Sequence, residues 1–183
     1  MAIWLIILII VGVLLLIVFS IYNSLIRLRN RVKNSWSQID VQLKKRFDLV
    51  PNLIETVKGY MTHEKETLTK ITQLRSQAMS ATDMGMKAKA NNQLSKALSG
   101  LNIAVENYPD LKASQNFLML QEELSGIENK IAYARQFYND SVMIYNNKIE
   151  MFPSNIFASM FNFKKEEFFE APEEERKNVK VSF

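Results

Sequence analysis

The sequence predicts an all-α protein, with an N-terminal transmembrane helix that continues into an antiparallel helical bundle and a long, heptad-patterned C-terminal helix. Three observations lead to this class. The first stretch of the chain is apolar on every side. Apolar residues then recur at steps of three and four through most of the remainder. Finally, five Gly and four Pro in 183 residues offer too few turn formers for a sandwich of many short strands.

Ala2 to Phe19 carries no charge and is rich in Ile, Leu and Val. Carried on to Tyr22, it makes roughly 31 Å of helix at about 1.5 Å per residue. That matches a hydrocarbon core about 30 Å thick. Trp4 and Tyr22 fall near the two ends, where amphipathic rings favour the interface. A cleaved signal peptide would show a basic residue before the apolar run and a small-x-small site after it, and neither is present. The expectation is a retained single-pass helix over about residues 2–22, in a segment 1–24.

Cations come directly after it. Arg27, Arg29, Arg31 and Lys33 alternate along the chain. On a helix, positions 27 and 31 share one side while 29 and 33 share the other. A reader of nucleic acid would gather its charge on one face, and the net charge of +4 is small for that role. Nucleic acid is therefore not an expected partner. A collar of charge running round the helix suits the lipid bilayer, where each cation near an anionic leaflet is worth about 1 kcal/mol. The positive-inside rule then favours the cell membrane with the N-terminus outside and the body in the cytoplasm.

The bundle is expected over residues 25–151. Leu25, Leu28, Val32, Trp36, Ile39, Leu43, Phe47 and Val50 keep helical spacing, so the membrane helix should run on as the first helix of the body. Pro51 should end or kink it. Asp48 and Asn52 could cap a short second helix, Asn52 and Glu55 having capping-box spacing, and Gly59 should close it. Thr62 or His63 could cap a third, burying Leu68, Ile71, Leu74 or Arg75, and Ala78. Residues 80–90 are weakly patterned, with a loop or frayed turn near Asp83 to Gly85. A fourth helix carries Leu94, Ala97, Leu98, Leu101, Val105 and Tyr108 and should end at Pro109.

The clearest period comes last. Phe117, Leu120, Leu124, Ile127, Ile131, Ala134, Tyr138, Ser141 and Tyr145 alternate steps of three and four, a heptad seam on a helix from about Asp110 to Ile149. Such a seam can pack within the chain or join copies into a homo-oligomer, as in a coiled coil. Residues 152–183 form a tail, dense in aromatics at Phe152, Phe157, Phe161, Phe163, Phe168 and Phe169 and then charged from Glu173. It is expected to fold back and cap the bundle; an amphipathic segment at the membrane or a docking peptide is the alternative.

The chemistry-bearing residues are sparse. No Cys is present, which excludes disulfides, thiolate ligands and thiol nucleophiles. The one His, His63 in His63 to Glu66, reads as an exposed helix start, since zinc needs three or four placed donors. No phosphate-cradling glycine motif occurs, so no cofactor is expected. Asp40, Arg46, Asp48, Asn52 and Glu55 surround Pro51. They read first as a cap and salt-bridge network that fixes the bend, and second as the place to look for a ligand.

Tyr22 to Leu68 (YNSLIRLRNRVKNSWSQIDVQLKKRFDLVPNLIETVKGYMTHEKETL) resembles the LemA family. So do NYPDLKASQNFLMLQEELSGIENKIAYARQFYND, YNNKIEMFPSNIFASMFNF and the closing VKVSF. Phe47 and the Gly126-Ile127 pair are small departures. The resemblance implies a bacterial-type membrane protein with one N-terminal span, an all-helical bundle and no assigned enzymatic activity. It also implies a link to cell-envelope homeostasis, in some members beside a membrane-bound heat-shock metalloprotease. The leading expectation is thus a membrane-anchored, non-enzymatic scaffold or adaptor. A membrane-linked sensor of a small ligand or lipid, with a polar pocket near Asp40, Asp48 and Glu55, is the alternative, and an uncharacterised enzyme the second alternative.

Overall fold

The computed structural model describes residues 2–61 and 64–169. Thr62, His63 and the charged end from Glu173 lie outside them. The described chain is helical, in the order α1 (Ala2–Lys58), α2 (Lys65–Ser80), α3 (Met84–Val105), α4 (Pro109–Lys112), α5 (Gln115–Glu150) and α6 (Ser154–Met160). It divides into two compact units. The first joins Met1–Gln38 to Ala134–Phe168, and the second is built on Ile39–Tyr133.

The expected continuation of the apolar segment into the body holds, and it goes further than expected. α1 is unbroken for 57 residues, with Pro51 inside it. Pro51 therefore neither ends the helix nor sets off a second one; α1 stops at Lys58, just before Gly59. The reason lies elsewhere in the fold. Proline has no N–H to give to the carbonyl four residues back. That carbonyl belongs to Phe47, and Arg75 Nε donates to it at 2.6 Å. A side chain from α2 thus replaces the missing backbone donor.

Within the second unit the helices alternate in direction. Asp40 and Arg46 of α1 meet Lys87 and Asn91 of α3 in the same order along both helices. Ser95 and Asn102 of α3 meet Glu128 and Gln121 of α5 in reverse order. The core comprises Leu43, Val50, Leu53 and Val57 from α1, Ile71 and Ala78 from α2, Leu94, Leu98 and Leu101 from α3, and Phe117, Ile127 and Ile131 from α5. Asp83 caps α3, accepting from Met86 N at 3.0 Å. The turn is consequently confined to Ala81–Asp83, and Gly85 is helical. α3 ends at Val105, so Tyr108 lies outside it and Pro109 starts α4 without closing the helix before it, and α5 begins at Gln115 rather than near Asp110.

In the first unit Ile21, Leu25, Val32 and Ser35 of α1 are buried, as are Tyr138, Ser141, Val142 and Tyr145 of α5. Trp36 meets Tyr138 edge-on, with ring centroids 5.6 Å apart. Most of the heptad seam is therefore covered by the chain's own helices. After α6 the chain reverses at Asn162, whose φ of 55° is left-handed, a conformation Asn tolerates better than most residues. Phe163 N donates to Ala158 O at 2.9 Å and Asn162 N to Ser159 O at 3.1 Å. These are the two bonds of a Schellman close.

Candidate functional site

Two places on α1 concentrate polar chemistry. In the second unit, Arg46 is buried, with 4% of its surface exposed. Its Nη1 donates to Asn91 Oδ1 at 3.0 Å and to Ser95 Oγ at 2.8 Å, and lies 2.9 Å from Glu128 Oε2. Ser95 Oγ in turn donates to Glu128 Oε1 at 3.2 Å. Burial pulls the guanidinium's pKa down, and the Glu128 carboxylate opposes that pull. Three helices thus converge on one buried cation. This is a packing device whose acceptors are taken up by each other and by Arg46.

The other residues expected around Pro51 do not join it. Asp40 pairs with Lys87 at 2.5 Å, and Glu55 pairs with Lys58 at 2.6 Å. Asp48 and Asn52 are exposed. At about 100° per residue, Asp48, Asn52 and Glu55 share the exposed side of α1 while Arg46 lies on the opposite, buried side, so the five do not form one network. Asn91, Ser95 and Glu128 are members of the network that the sequence does not announce beside Arg46. Asn91 carries a signal: it interrupts the face set by Ala88, Leu94 and Leu98, and a polar group at a core position needs a partner. The other two carry no local signal.

The second place is the end of the apolar segment, in the first unit. Of the expected collar, Arg27, Arg31 and Lys33 are exposed and Arg29 is half-buried. Arg29 lies over the Phe163 ring at 5.3 Å, and Arg31 over the Phe137 ring at the same distance. Tyr22 makes edge contacts with Phe161 and Phe163, at centroid separations of 4.9 and 5.9 Å. The segment after Asn162 is held by side chains. Asn146 donates through Nδ2 to Glu166 O at 2.9 Å and accepts from Glu166 N through Oδ1 at 3.0 Å. Tyr138 donates its hydroxyl to Glu167 O at 2.9 Å. Up to Phe169 the tail thus forms a short strap held on α5, and the rest of the expected tail lies outside the described residues.

α1 is the one helix among the described residues long and apolar enough to cross a membrane, and its most apolar stretch has no buried residue. Trp4 and Leu8 are 77% and 73% exposed. No group of three or more His, Cys, Asp or Glu among the described residues is placed to hold a metal ion.

The sequence profile of the LemA family matches residues 35–183. The chain is 31% identical to Protein LemA of Metamycoplasma hominis over 173 residues, which is 94% of this chain and 79% of that protein. It is 23% identical over 175 residues to the magnetosome protein MamQ 2 of Paramagnetospirillum magneticum, covering 81% of this chain and 64% of that relative. Against the magnetosome protein MamQ of Magnetospirillum gryphiswaldense the identity is 22% over 174 residues, with the same coverage.

Proposed function

Because the chain belongs to the LemA family, we propose that it acts as a membrane-anchored, non-enzymatic scaffold or adaptor in envelope maintenance. Family membership and the apolar N-terminal helix fit a membrane-associated protein. The observation that carries the reading is α1 itself. One helix bears an apolar stretch with no buried residue and then, without a break, supplies core residues from Ile21 to Val57. An exposed apolar surface of that length has no stable place in water. Arg27, Arg29, Arg31 and Lys33 come next along the helix and support an N-terminus outside and a cytoplasmic body. Ligand sensing has less support, since Asp40 and Glu55 are already paired with Lys87 and Lys58 and Asp48 is exposed on the surface of α1.

The test is crosslinking in intact cells, then detergent extraction and purification of the full chain. The expected result is recovery of the same membrane-protease or envelope-stress partner, or of the same homo-oligomer, across growth conditions. Recovery of a bare monomer under every stress would overturn the scaffold reading. Labelling of single Cys residues placed near the N-terminus and near residue 175 in intact and permeabilised cells tests the orientation. An intact-cell signal from residue 175 would reverse it.

A further inference from the structure

The corner between α5 and α6 has an inverted pattern. α6 buries small residues, Ser154 and Ala158. It exposes large apolar ones: Ile156 and Met160, at 55% and 62%, share a face one helical turn apart. Met151 and Phe152, on the approach to α6, are 62% and 80% exposed. A water-facing helix would place these groups the other way round. The small residues inside are well used: Ser154 Oγ donates to Lys148 O at 2.6 Å, which ties α6 to the end of α5. The apolar side is therefore turned outward by the fold itself.

Its position says what covers it. Phe161, the residue after α6, packs edge-on against Tyr22 at 4.9 Å. Tyr22 closes the apolar stretch of α1, about 30 Å from Ala2 along the helix axis. Phe161, at the close of the corner, thus stands within a ring's width of the residue where a spanning α1 leaves the hydrocarbon. Cations lie in the same unit: Arg27 and Lys33 are exposed on α1, and Lys164 is exposed just beyond the turn. Aromatic and aliphatic groups backed by Lys and Arg are the composition of a surface lying in a leaflet's interface, at a depth of about 5–10 Å.

We propose that the α5–α6 corner, through Phe152, Ile156 and Met160, is a second membrane contact inserted in the headgroup–acyl boundary of the leaflet that α1 exits. It rests on the anchor reading of α1. A lipid surface is the occupant because the corner is continuous, through Phe161 and Tyr22, with the segment that the anchor reading puts in lipid.

The natural absence of Cys allows a direct test on the full chain. Single labels are placed through Leu8→Cys, Asp140→Cys, Ile156→Cys and Met160→Cys, each carrying an environment-sensitive fluorophore. The protein is reconstituted in vesicles of phosphatidylcholine and phosphatidylglycerol. Quenching is read with iodide in the water and with lipids brominated near the headgroup end of the acyl chain. At positions 156 and 160 the expected iodide quenching is about threefold below that at 140, with clear quenching by brominated lipid. Iodide quenching equal to that at 140, while position 8 stays lipid-quenched, would leave the anchor standing and overturn the corner's insertion. A position 8 without lipid quenching would overturn the anchor and the corner together. Protection at 156 that needs a high protein-to-lipid ratio, with no lipid quenching, would assign the surface to a second copy and overturn the proposal. As a second variant, Ile156→Glu with Met160→Glu should expose a label at Phe152→Cys to iodide and leave position 8 unchanged.

Discussion

Arg29 and Arg46 are both carried by α1, yet different chemistry holds their guanidinium groups. Arg46 is buried, and its Nη1 meets Asn91, Ser95 and Glu128. Arg29 is half-buried on the face of Phe163, and its Nε is buried without a hydrogen-bond partner. A ring attracts the charge without accepting a directed bond from each N–H. The contrast shows how one helix serves two settings. Deep in a bundle a cation must be matched donor by donor, because an unpaired buried charge costs several kcal/mol. Where a cation is only half-buried, an aromatic face can hold the stem while the charge stays available to the surroundings.

The comparison is broken most severely at Arg46. Arg46→Ala leaves Asn91 Oδ1 without its donor, leaves the Glu128 carboxylate with Ser95 Oγ but no cation, and opens space among three helices. A loss of about 2 kcal/mol in unfolding free energy is expected, read by chemical denaturation in detergent. It comes from the unmet Asn91 acceptor and the space left behind, because Glu128 is 46% exposed and keeps its hydration. Arg46→Lys should lose less than half as much. All three acceptors converge on one nitrogen, and an ammonium offers three donors at a single point. A lysine variant as damaged as the alanine variant would show that the planar fork matters, and not only the charge.

Arg75 tests the same principle with a backbone acceptor. Arg75→Ala removes the donor that serves the Phe47 carbonyl. The expected cost is about 1–2 kcal/mol, because Phe47 is buried and its carbonyl has no helical partner at Pro51. Pro51→Ala restores the N–H to the helix and should raise stability by itself. In that background Arg75→Ala should cost far less, giving a coupling of about 1 kcal/mol in the double-mutant cycle. Strict additivity would mean that the Arg75 bond and the proline gap are unrelated.

What is legible in the sequence tracks the range of the interactions. The apolar stretch, its continuation through Val50 and the seam from Phe117 to Tyr145 are repeating local patterns, and each is seen in the structure. Pro51 misleads because local rules end a helix where a donor is missing. Here the donor comes from residue 75, whose contact with residue 47 no pattern announces. Arg46 stands out in the sequence, but in the wrong company. Its partners at 91, 95 and 128 lie on other helices, while its sequence neighbours Asp48 and Asn52 face outward. The tail's aromatics are visible in the sequence, but the strap is not. Asn146 and Tyr138 bind its backbone, and backbone recognition leaves no trace in the side chains of the segment recognised.

The strap supplies the smallest test, and it concerns a neutral group where the first concerned a charge. Tyr138 is buried and gives its hydroxyl to Glu167 O. Burial first, then the Glu166 and Glu167 carboxylates, push its phenol up to about 12. In the unfolded chain the same phenol ionises near pH 10. As pH rises, the unfolded state therefore loses the proton first, and ionisation favours unfolding. The stability that Tyr138 contributes is fully present below about pH 10 and is lost as pH climbs towards about 12. Tyr138→Phe removes the hydroxyl's bond to Glu167 O, worth about 1 kcal/mol at neutral pH. It also removes the titration, so the gap between wild type and variant should narrow above about pH 10. Tyr145 is shifted up as well, burial first and Glu166 next, so Tyr145→Phe in the same background should flatten the alkaline limb further. A gap that stays constant up to about pH 12 would mean that the phenol ionises alike in both states, and that the strap does not shield it.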